Sequence, residues 1–458
     1  MIGSAKHWRI GLLLAGCLLL LALMLPVSNL AIGRTYVDVT SDDADFPQIS
    51  RLLQRSCADC HTPNLTEQPL YFSFPVASQL IAEDMQQAQT HMVITEAQLS
   101  GAEPLNAVQL AKIKRVIDDR SMPPLRYTAM HWNAGFSAEE RETLLSWIES
   151  VPGGYEPQPI PQENPFSPEP AKVSLGERLF NDVRLSGNDT VTCASCHDLA
   201  RGGVDGRVVS QGIEGHQGPI NAPTVFNAAI NFAQFWDGRA RDLKEQAAGP
   251  VLNPLEMGAK WKEVIAKLEA APEYEQAFQA VYDGEVSSDT ITDAIAEFEQ
   301  TLLTPDSRFD KYLRGDKDAL DAQEQRGYAL FTANHCATCH TGVNLGSLTY
   351  EKMGLKGDYF QARGGKLTEA DLGRFHVTKE ETDRSKFKTP TLRNIELTAP
   401  YFHDGSVKTL ADAVRTMATF QLGVQLSGED VESIAAFLQT LTGEYQGQPL
   451  AGGLQADE

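Results

Sequence analysis

One short pattern, Cys-x-x-Cys-His, occurs three times in this chain, at residues 57–61, 193–197 and 336–340. In such a pattern two thiols form thioethers with the vinyl groups of a haem, and the adjacent imidazole binds the iron from one face. A structural zinc site and a redox dithiol are the alternatives, but all six cysteines beyond residue 33 lie in this pattern. We therefore predict three haems c, each held by two cysteines and one histidine: Cys57, Cys60 and His61; Cys193, Cys196 and His197; Cys336, Cys339 and His340.

The size and charge of the chain limit its class. Its 458 residues predict about three domains of ordinary size, which agrees with one haem in each. A formal net charge of -22 excludes nucleic acid as a partner, because phosphates need a basic surface. The same charge either steers a basic redox partner or only keeps the surface soluble.

The leader, residues 1–33, begins with Lys6 and Arg9 and then runs apolar from Ile10. We favour a retained membrane anchor of roughly 20 residues, with its positive end inside and the haem domains in the periplasm. A lipidated Cys17 after Leu-Ala-Gly and a cleaved signal peptide are the alternatives. The predicted location is therefore the inner membrane, facing the periplasm, where c-type haem is attached.

Residues 34–151 are predicted to form a monohaem cytochrome domain. Its segment Ser-Met-Pro-Pro, residues 121–124, cannot be helical because of the two prolines, and it predicts an extended strap. Such a strap can hold a thioether over a haem, so Met122 is the predicted sixth ligand of the first iron. Met92 and Met130 are its rivals.

A proline-rich stretch, residues 152–171, predicts a stiff linker after this first domain. Beyond it, residues 172–310 are predicted to form the domain of the second haem and residues 311–458 that of the third. The boundaries rest on the positions of the motifs and on the linker composition.

Amphipathic helices are predicted near the end of each haem unit, at 137–151, 288–303 and 427–442. The first of them opens with a capping box, Ser137 and Glu140. The predicted fold is therefore mainly α, with three cytochrome c-like haem domains after an N-terminal transmembrane anchor.

Seven further stretches follow one another in a specific order: LGERLF (175–180), NAPTVFN (221–227), FWDGR (235–239), EQAAGP (245–250), LEM (255–257), TPTLRN (389–394) and PYFHDG (400–405). In these stretches the chain resembles the bacterial dihaem cytochrome c peroxidases. With the additional N-terminal haem and the leader, the whole chain is similar to membrane-anchored trihaem variants of that family, which look like quinol peroxidases.

The resemblance implies different roles for the last two haems. The third haem would store an electron, with His340 and Met417 as its axial ligands, whereas MauG-like relatives carry a tyrosine in place of this methionine. The second haem would be the peroxide site, beside the glycine-rich residues 199–219. In many relatives a histidine of this loop caps the iron, but here Ile213 falls at that place. Either His216 caps the iron from a shifted register, as a tentative ligand, or the iron is permanently open.

The resemblance also implies the residues that act on peroxide. Cleavage of the O–O bond needs a group that takes a proton from one oxygen and returns it to the other, and a carboxylate can do both. Glu256 matches the family's distal glutamate, Gln246 its distal glutamine, and Trp236 the tryptophan between the two haems. The family's calcium site carries over to Asn221, Thr398 and Pro400.

These expectations together describe a periplasmic enzyme that reduces hydrogen peroxide to water with three haems c and Ca²⁺. Electrons would enter at the first haem from a membrane quinol or a small cytochrome c, pass to the third haem and reach the second. The alternatives are an electron carrier without peroxidase activity and a MauG-like protein oxidant. The oligomeric state is open, with a homodimer as one alternative.

Overall fold

The computed structural model describes residues 37–63 and 75–450, together with Gly16. The chain forms two compact units, Met1–Tyr155 and Glu156–Glu458. Apart from Gly16, the predicted membrane anchor lies outside the described residues. Within the described part of the chain, we find no helix with the length and hydrophobicity that crossing a bilayer requires.

The regular secondary structure in the described part of the first unit is helical. Its helices are α1 Phe46–Leu53, α2 Asp59–His61, α3 Pro75–His91, α4 Glu96–Ser100, α5 Ala107–Asp118, α6 Leu125–Met130 and α7 Ala138–Ser150, with a π-helical turn, Gln54–Ala58, between α1 and α2. Apolar side chains from four of these helices form the core, and Ile49, Leu53, Leu99, Leu144 and Ile148 are completely buried.

The predicted capping box of α7 is confirmed. The Ser137 hydroxyl accepts a hydrogen bond from the Glu140 backbone amide at 3.1 Å, and the Glu140 carboxylate accepts one from the Ser137 amide at 2.8 Å. Two orphan amides at the helix start are thereby satisfied. The Glu140 carboxylate also pairs with Arg55 at 2.7 Å, which ties the start of α7 to the first haem motif.

The second unit is also mainly helical. Its helices are α8 Pro170–Phe180, α9 Leu243–Leu252, α10 Trp261–Glu269, α11 Pro272–Tyr282, α12 Ser288–Glu299, α13 Arg308–Leu313, α14 Ala322–Ala333, α15 Tyr359–Arg363, α16 Phe375–Thr378, α17 Leu410–Thr416 and α18 Gly428–Gln439. Two small antiparallel pairs accompany them: β1 Tyr350–Lys352 with β2 Lys386–Lys388, and β3 Glu444–Tyr445 with β4 Gln448–Pro449.

Two helix crossings in this unit repeat the same contact. In α8, a Cβ atom on Gly176 would lie 1.8 Å from the Ala294 carbonyl oxygen of α12. In α14, a Cβ atom on Gly327 would lie 1.9 Å from the Ser433 carbonyl oxygen of α18. The first crossing lies in residues 172–310 and the second in residues 311–458, the two halves of this unit that carry the second and the third motif.

A buried polar network joins the two halves of the second unit. The Asn227 amide nitrogen donates to the Thr304 hydroxyl at 2.8 Å, and Asn227 Oδ1 accepts from the Thr304 backbone amide at 2.9 Å. The Asn394 amide nitrogen donates to the same hydroxyl at 3.0 Å. These residues are buried and mutually satisfied, so the predicted second and third haem domains share one interior.

The proline-rich stretch is held by the second unit over much of its length. Ile160 is fully buried, and its amide donates to Asp310 Oδ1 at 3.2 Å. The Gln158 carbonyl accepts from Arg393 at 2.8 Å. The unit boundary therefore falls inside the predicted linker, between Tyr155 and Glu156.

Candidate functional site

The three motif histidines share one hydrogen-bonding arrangement. The Nδ1 atom of His61 lies 2.9 Å from the Met92 carbonyl oxygen, that of His197 3.2 Å from the Gly203 carbonyl and that of His340 3.1 Å from the Leu345 carbonyl. A bond from Nδ1–H to a carbonyl fixes the tautomer and leaves Nε2 as the ligand atom. Burial lowers the pKa of all three imidazoles, to about 4 for His340, which keeps them neutral.

The motif cysteines complete a donor set that suits haem c. None of the six is joined in a disulfide. Cys57, Cys193 and Cys336 pack against the three largest apolar clusters, and burial raises the pKa of each thiol to about 12. Thiols held in apolar surroundings beside a neutral imidazole fit a covalently attached haem, which would supply an iron for electron transfer or for peroxide.

The strap that carries Met122, residues 121–124, lies between α5 and α6, and α6 was not predicted. Arg120 has φ of 53°, and the peptide between Met122 and Pro123 is cis. The rival Met92 offers its carbonyl to His61 Nδ1, so its main chain lies at the ring edge opposite to Nε2. Met130 is the last residue of α6. The assignment of Met122 as the sixth ligand stays a prediction.

Met417 begins a π-helical turn, Met417–Leu422, which continues α17 directly. Leu410 and Val414 of α17 pack in the same apolar cluster as Cys336 of the third motif. Met417 follows Val414 by three residues and therefore lies on the same side of the helix. This placement suits the predicted axial role.

The glycine-rich loop folds back onto the segment that carries Glu256. The Ile213 amide donates to the Glu256 carbonyl at 2.8 Å, and a Cβ atom on Gly212 would lie 2.1 Å from the Leu255 carbonyl oxygen. The His216 side chain is exposed, and its carbonyl accepts from the Gly212 amide at 2.8 Å. The loop thus presents Ile213 to Glu256 in this conformation, and the tentative ligand role of His216 stays a prediction.

Glu256 is held in a partly buried position close to the second motif. The Asn253 side-chain amide donates to its Oε1 atom at 2.7 Å. Burial raises the pKa of this carboxyl, and the positive charge of Arg239 and the Asn253 bond partly oppose that shift. Burial raises the pKa of the Cys196 thiol, and the charges of Asp205 and, to a smaller extent, Glu256 add to that shift. The loop that bonds to the Glu256 carbonyl also lines a cavity with Ser195 of the second motif, through Gly212.

Arg239 and Gln246 lie on the segments that accompany Glu256. The Arg239 guanidinium lies 3.5 Å from the centre of the Phe235 ring and pairs with Asp237 at 3.0 Å. Gln246 is half-buried on α9. Gln246, Arg239 and Glu256 therefore all belong to the half of the unit that carries the second motif.

Trp236 lies in an aromatic group that the sequence reasoning did not identify. Its Nε1–H donates to the Asn221 carbonyl at 2.9 Å, and its ring lies edge-on to those of Phe387 and His403, at 6.4 and 6.3 Å between centroids. His403 stacks on Phe387 at 4.2 Å and bonds through Nε2 to buried Asp371 at 2.8 Å. The available signal was that Trp236 and His403 both belong to stretches that carry the family resemblance.

Ligand-type atoms of Asp371, His403 and Asp404 lie within 4.8 Å of one another. The guanidinium of Arg363 already lies between the two carboxylates, with its NH1 atom 2.8 Å from Asp371 and 2.6 Å from Asp404. The positive charge beside these carboxylates is therefore supplied by Arg363. We interpret the cluster as a structural ion-pair network.

The predicted calcium ligands lie on neighbouring segments. The Asn221 amide nitrogen donates to the Arg207 carbonyl at 2.8 Å, which leaves Oδ1 as the atom that a hard cation would take. The Asn221 backbone amide bonds to the His403 carbonyl at 2.8 Å, and this brings it to the segment that contains Thr398 and Pro400. The Ca²⁺ site stays a prediction.

Comparison with known proteins identifies both units. Residues 170–318 match the di-haem cytochrome c peroxidase model, and residues 18–150 match the haem-binding domain model. The chain is similar to the cytochrome c peroxidase Ccp of Escherichia coli (strain K12), with 48% identity over 410 residues, 86% of this chain and 87% of that protein. It is 49% identical over 290 residues to the cytochrome c551 peroxidase of Nitrosomonas europaea, covering 63% of this chain and 85% of that protein.

Among solved structures, a MauG-like protein associated with microbial copper homeostasis matches with a TM-score of 0.55 and 32% identity. The match covers 63% of this chain and 93% of that protein. The predicted family and the haem-binding, mainly helical fold are therefore confirmed. The chain belongs to the di-haem cytochrome c peroxidase family and is a haem peroxidase.

Proposed function

We propose that this haem peroxidase carries three haems c and reduces hydrogen peroxide to water in the periplasm. The observation that carries the proposal is Glu256, a partly buried carboxylate whose segment bonds to the glycine-rich loop after the second motif, through the Ile213 amide at 2.8 Å. A carboxylate in that position can move the proton that peroxide cleavage requires. The other two motifs have the same histidine geometry, which supports one haem at each of the three.

Haem bound at His197 would supply the iron and the electrons for cleavage of the O–O bond. Asn253 donates to Glu256 Oε1, so Oε2 is the atom that carries the transferred proton. Glu256 takes that proton from one oxygen of hydrogen peroxide and returns it to the other, which departs as water. The complete reaction consumes two electrons and two protons for each hydrogen peroxide and yields two water molecules.

We further propose that electrons enter at the first haem, pass to the third and reach the second. Met417 supports the third haem as the storage site, because an iron with histidine and methionine ligands has a high potential and no vacant position. Trp236 supports transfer between the last two haems, since it contacts segments from both halves of the second unit. The same methionine weighs against a MauG-like protein oxidant.

Quinol in the inner membrane is the proposed donor, and a small cytochrome c is the alternative. The apolar leader supports quinol, because an anchor would hold the first haem near the bilayer where a lipid-soluble reductant is dissolved. Fully loaded protein in detergent should then oxidise a quinol analogue when peroxide is present. Activity with a reduced cytochrome c but none with the quinol analogue would overturn this choice of donor.

The test of the peroxide chemistry is rapid mixing of fully reduced protein with hydrogen peroxide, followed by haem absorbance. Glu256→Gln should slow oxidation roughly a hundredfold or more, because the amide cannot accept the proton. The wild-type rate should fall as the pH drops through the raised pKa of Glu256, and the variant should lose this dependence.

A matched control is Glu263→Gln, which removes an exposed carboxylate of α10 paired with Lys260 at 3.3 Å. This control should oxidise at the wild-type rate. Equal rates in wild type and Glu256→Gln would contradict the acid–base role, and slow oxidation in both would favour an electron carrier.

A further inference from the structure

Lys388, the last residue of β2, is a largely buried lysine whose amine has no partner among the described residues. The residue is only 7% exposed. Across the described residues, its Nζ atom makes no hydrogen bond or ion pair. Lys386, two residues earlier on the same strand, pairs with Asp383 at 3.3 Å. Burial alone lowers the pKa of Lys388 to about 8, and no acidic group offsets it.

Among the described residues, no acidic side chain pairs with Lys388. Glu351 of β1 lies opposite Phe387, and its carboxylate accepts from the Thr349 hydroxyl at 3.2 Å. Asp383 is shared between Lys386 and Arg374, at 3.3 and 3.9 Å. Asp237 is paired with Arg239 at 3.0 Å. An ammonium on a largely buried residue is unfavourable unless an anion pairs with it, so an anion is expected beside Lys388.

The position of Lys388 indicates the source of that anion. Its backbone amide donates to the Trp236 carbonyl at 2.7 Å, and Tyr350 lies opposite it on β1. A Cβ atom on Gly238 would lie 1.9 Å from the Tyr350 hydroxyl, so this hairpin packs tightly on the Trp236 segment. Lys388 therefore lies where the half with the second motif meets the half with the third.

The two faces of β2 differ in chemistry. Phe387 stacks on His403 at 4.2 Å, in the aromatic group around Trp236. Side chains alternate along a strand, so Lys388 points to the opposite face, which it shares with Tyr350. Haem carries two propionate carboxylates. The Ser347 amide donates to the carbonyl of Thr389, next to Lys388, at 2.7 Å, and Ser347 follows by two residues the Leu345 carbonyl that His340 contacts.

We propose that Lys388 is the counter-ion of a haem propionate in the second unit. This assignment rests on the proposed haem loading of that unit. It gives a residue outside all three motifs a role in binding a carboxylate of the cofactor. The ammonium offsets the propionate charge and thereby favours the reduced haem, which carries one positive charge less than the oxidised haem. Loss of the ammonium should make the same haem easier to oxidise.

The test is a redox titration of the haem-loaded protein and its variants. In Lys388→Met, one second-unit haem should shift its reduction equilibrium about tenfold towards the oxidised form, which is about 59 mV for one electron. The first-unit haem should keep its potential and serves as an internal reference. Lys388→Arg retains the charge and should restore the wild-type potential.

The matched control is Lys352→Met, which removes an exposed amine from the neighbouring strand. It should leave all potentials unchanged, because an exposed charge is screened. Unchanged potentials in Lys388→Met, or failure of Lys388→Arg to restore them, would overturn the proposal.

A second measurement tests the proposal without Lys388→Met, in case that variant folds poorly. The frequency of the propionate bending band in the resonance Raman spectrum should differ between wild type and Lys388→Arg, because the hydrogen-bond donor to the carboxylate changes. An unchanged frequency would count against the proposal. These measurements need haem but no peroxide, so their failure is separable from failure of the Glu256 chemistry.

Discussion

At the scale of single residues, the Arg393–Asp310 pair holds three distant segments together. Both side chains are completely buried, and Arg393 NH1 lies 2.8 Å from Asp310 Oδ1. The same guanidinium donates to the Val343 carbonyl at 3.0 Å and to the Gln158 carbonyl at 2.8 Å. A planar donor group satisfied on all sides suits such a position, which lysine cannot fill equally well.

Arg393→Met should therefore be severely destabilising. The substitution leaves Asp310 buried without its charge partner, and the free energy of unfolding should fall by about 3–5 kcal/mol. Denaturant titration of the loaded protein measures this loss. Arg384→Met breaks an exposed pair with Glu381 and should leave the midpoint unchanged. A small loss in Arg393→Met would show that the site relaxes around Asp310.

At the scale of helices, the second unit depends on two close crossings made at glycine. Gly176 and Gly327 each lie under a carbonyl oxygen of the facing helix, at distances that no Cβ atom tolerates. Each crossing is part of the apolar cluster against which one motif packs its first cysteine, Cys193 or Cys336. The helix pairs thus position the second and third motifs, the predicted haem-binding residues.

Gly327→Ala should force α14 and α18 apart. Overpacking of this kind typically lowers stability by about 1–3 kcal/mol, and the contact here is with backbone, which cannot turn aside. Thermal unfolding of the loaded protein checks the loss. Gly428→Ala makes the same chemical change at the start of α18, in open space, and should be neutral or slightly stabilising. Equal effects of the two variants would contradict a role for the crossing.

At the scale of the whole molecule, the two compact units suggest separate functions. The cytochrome c551 peroxidase of Nitrosomonas europaea matches over 85% of its own length but only 63% of this chain. The described second unit also has its own apolar clusters and its own polar network. These observations support a peroxidase unit that folds without the first haem domain.

A chain that begins at Glu156 should therefore load two haems and oxidise rapidly with peroxide after chemical reduction. It should lose oxidation of a quinol analogue, because the proposed entry haem is gone. Pyridine haemochrome analysis and rapid mixing measure the two properties, with the complete chain as the control. Retention of quinol oxidation would place electron entry in the second unit.

Much of the site could be predicted from sequence because its parts are local. Each Cys-x-x-Cys-His motif is contiguous, so its chemistry is visible without a fold. The capping box of α7 and the three predicted helices near 137–151, 288–303 and 427–442 likewise depend on residues a few positions apart. The family resemblance then indicated Glu256 and Trp236.

Tertiary structure alone decided the remaining features, because they join residues far apart in the chain. Arg393 and Asp310 are 83 positions apart, and His403 and Asp371 are 32 apart. The loop register that places Ile213 at Glu256 depends on backbone hydrogen bonds, which residue types do not specify. The place of Lys388 opposite Tyr350 depends on the pairing of β1 with β2, which joins residues 38 positions apart and which no local pattern specifies.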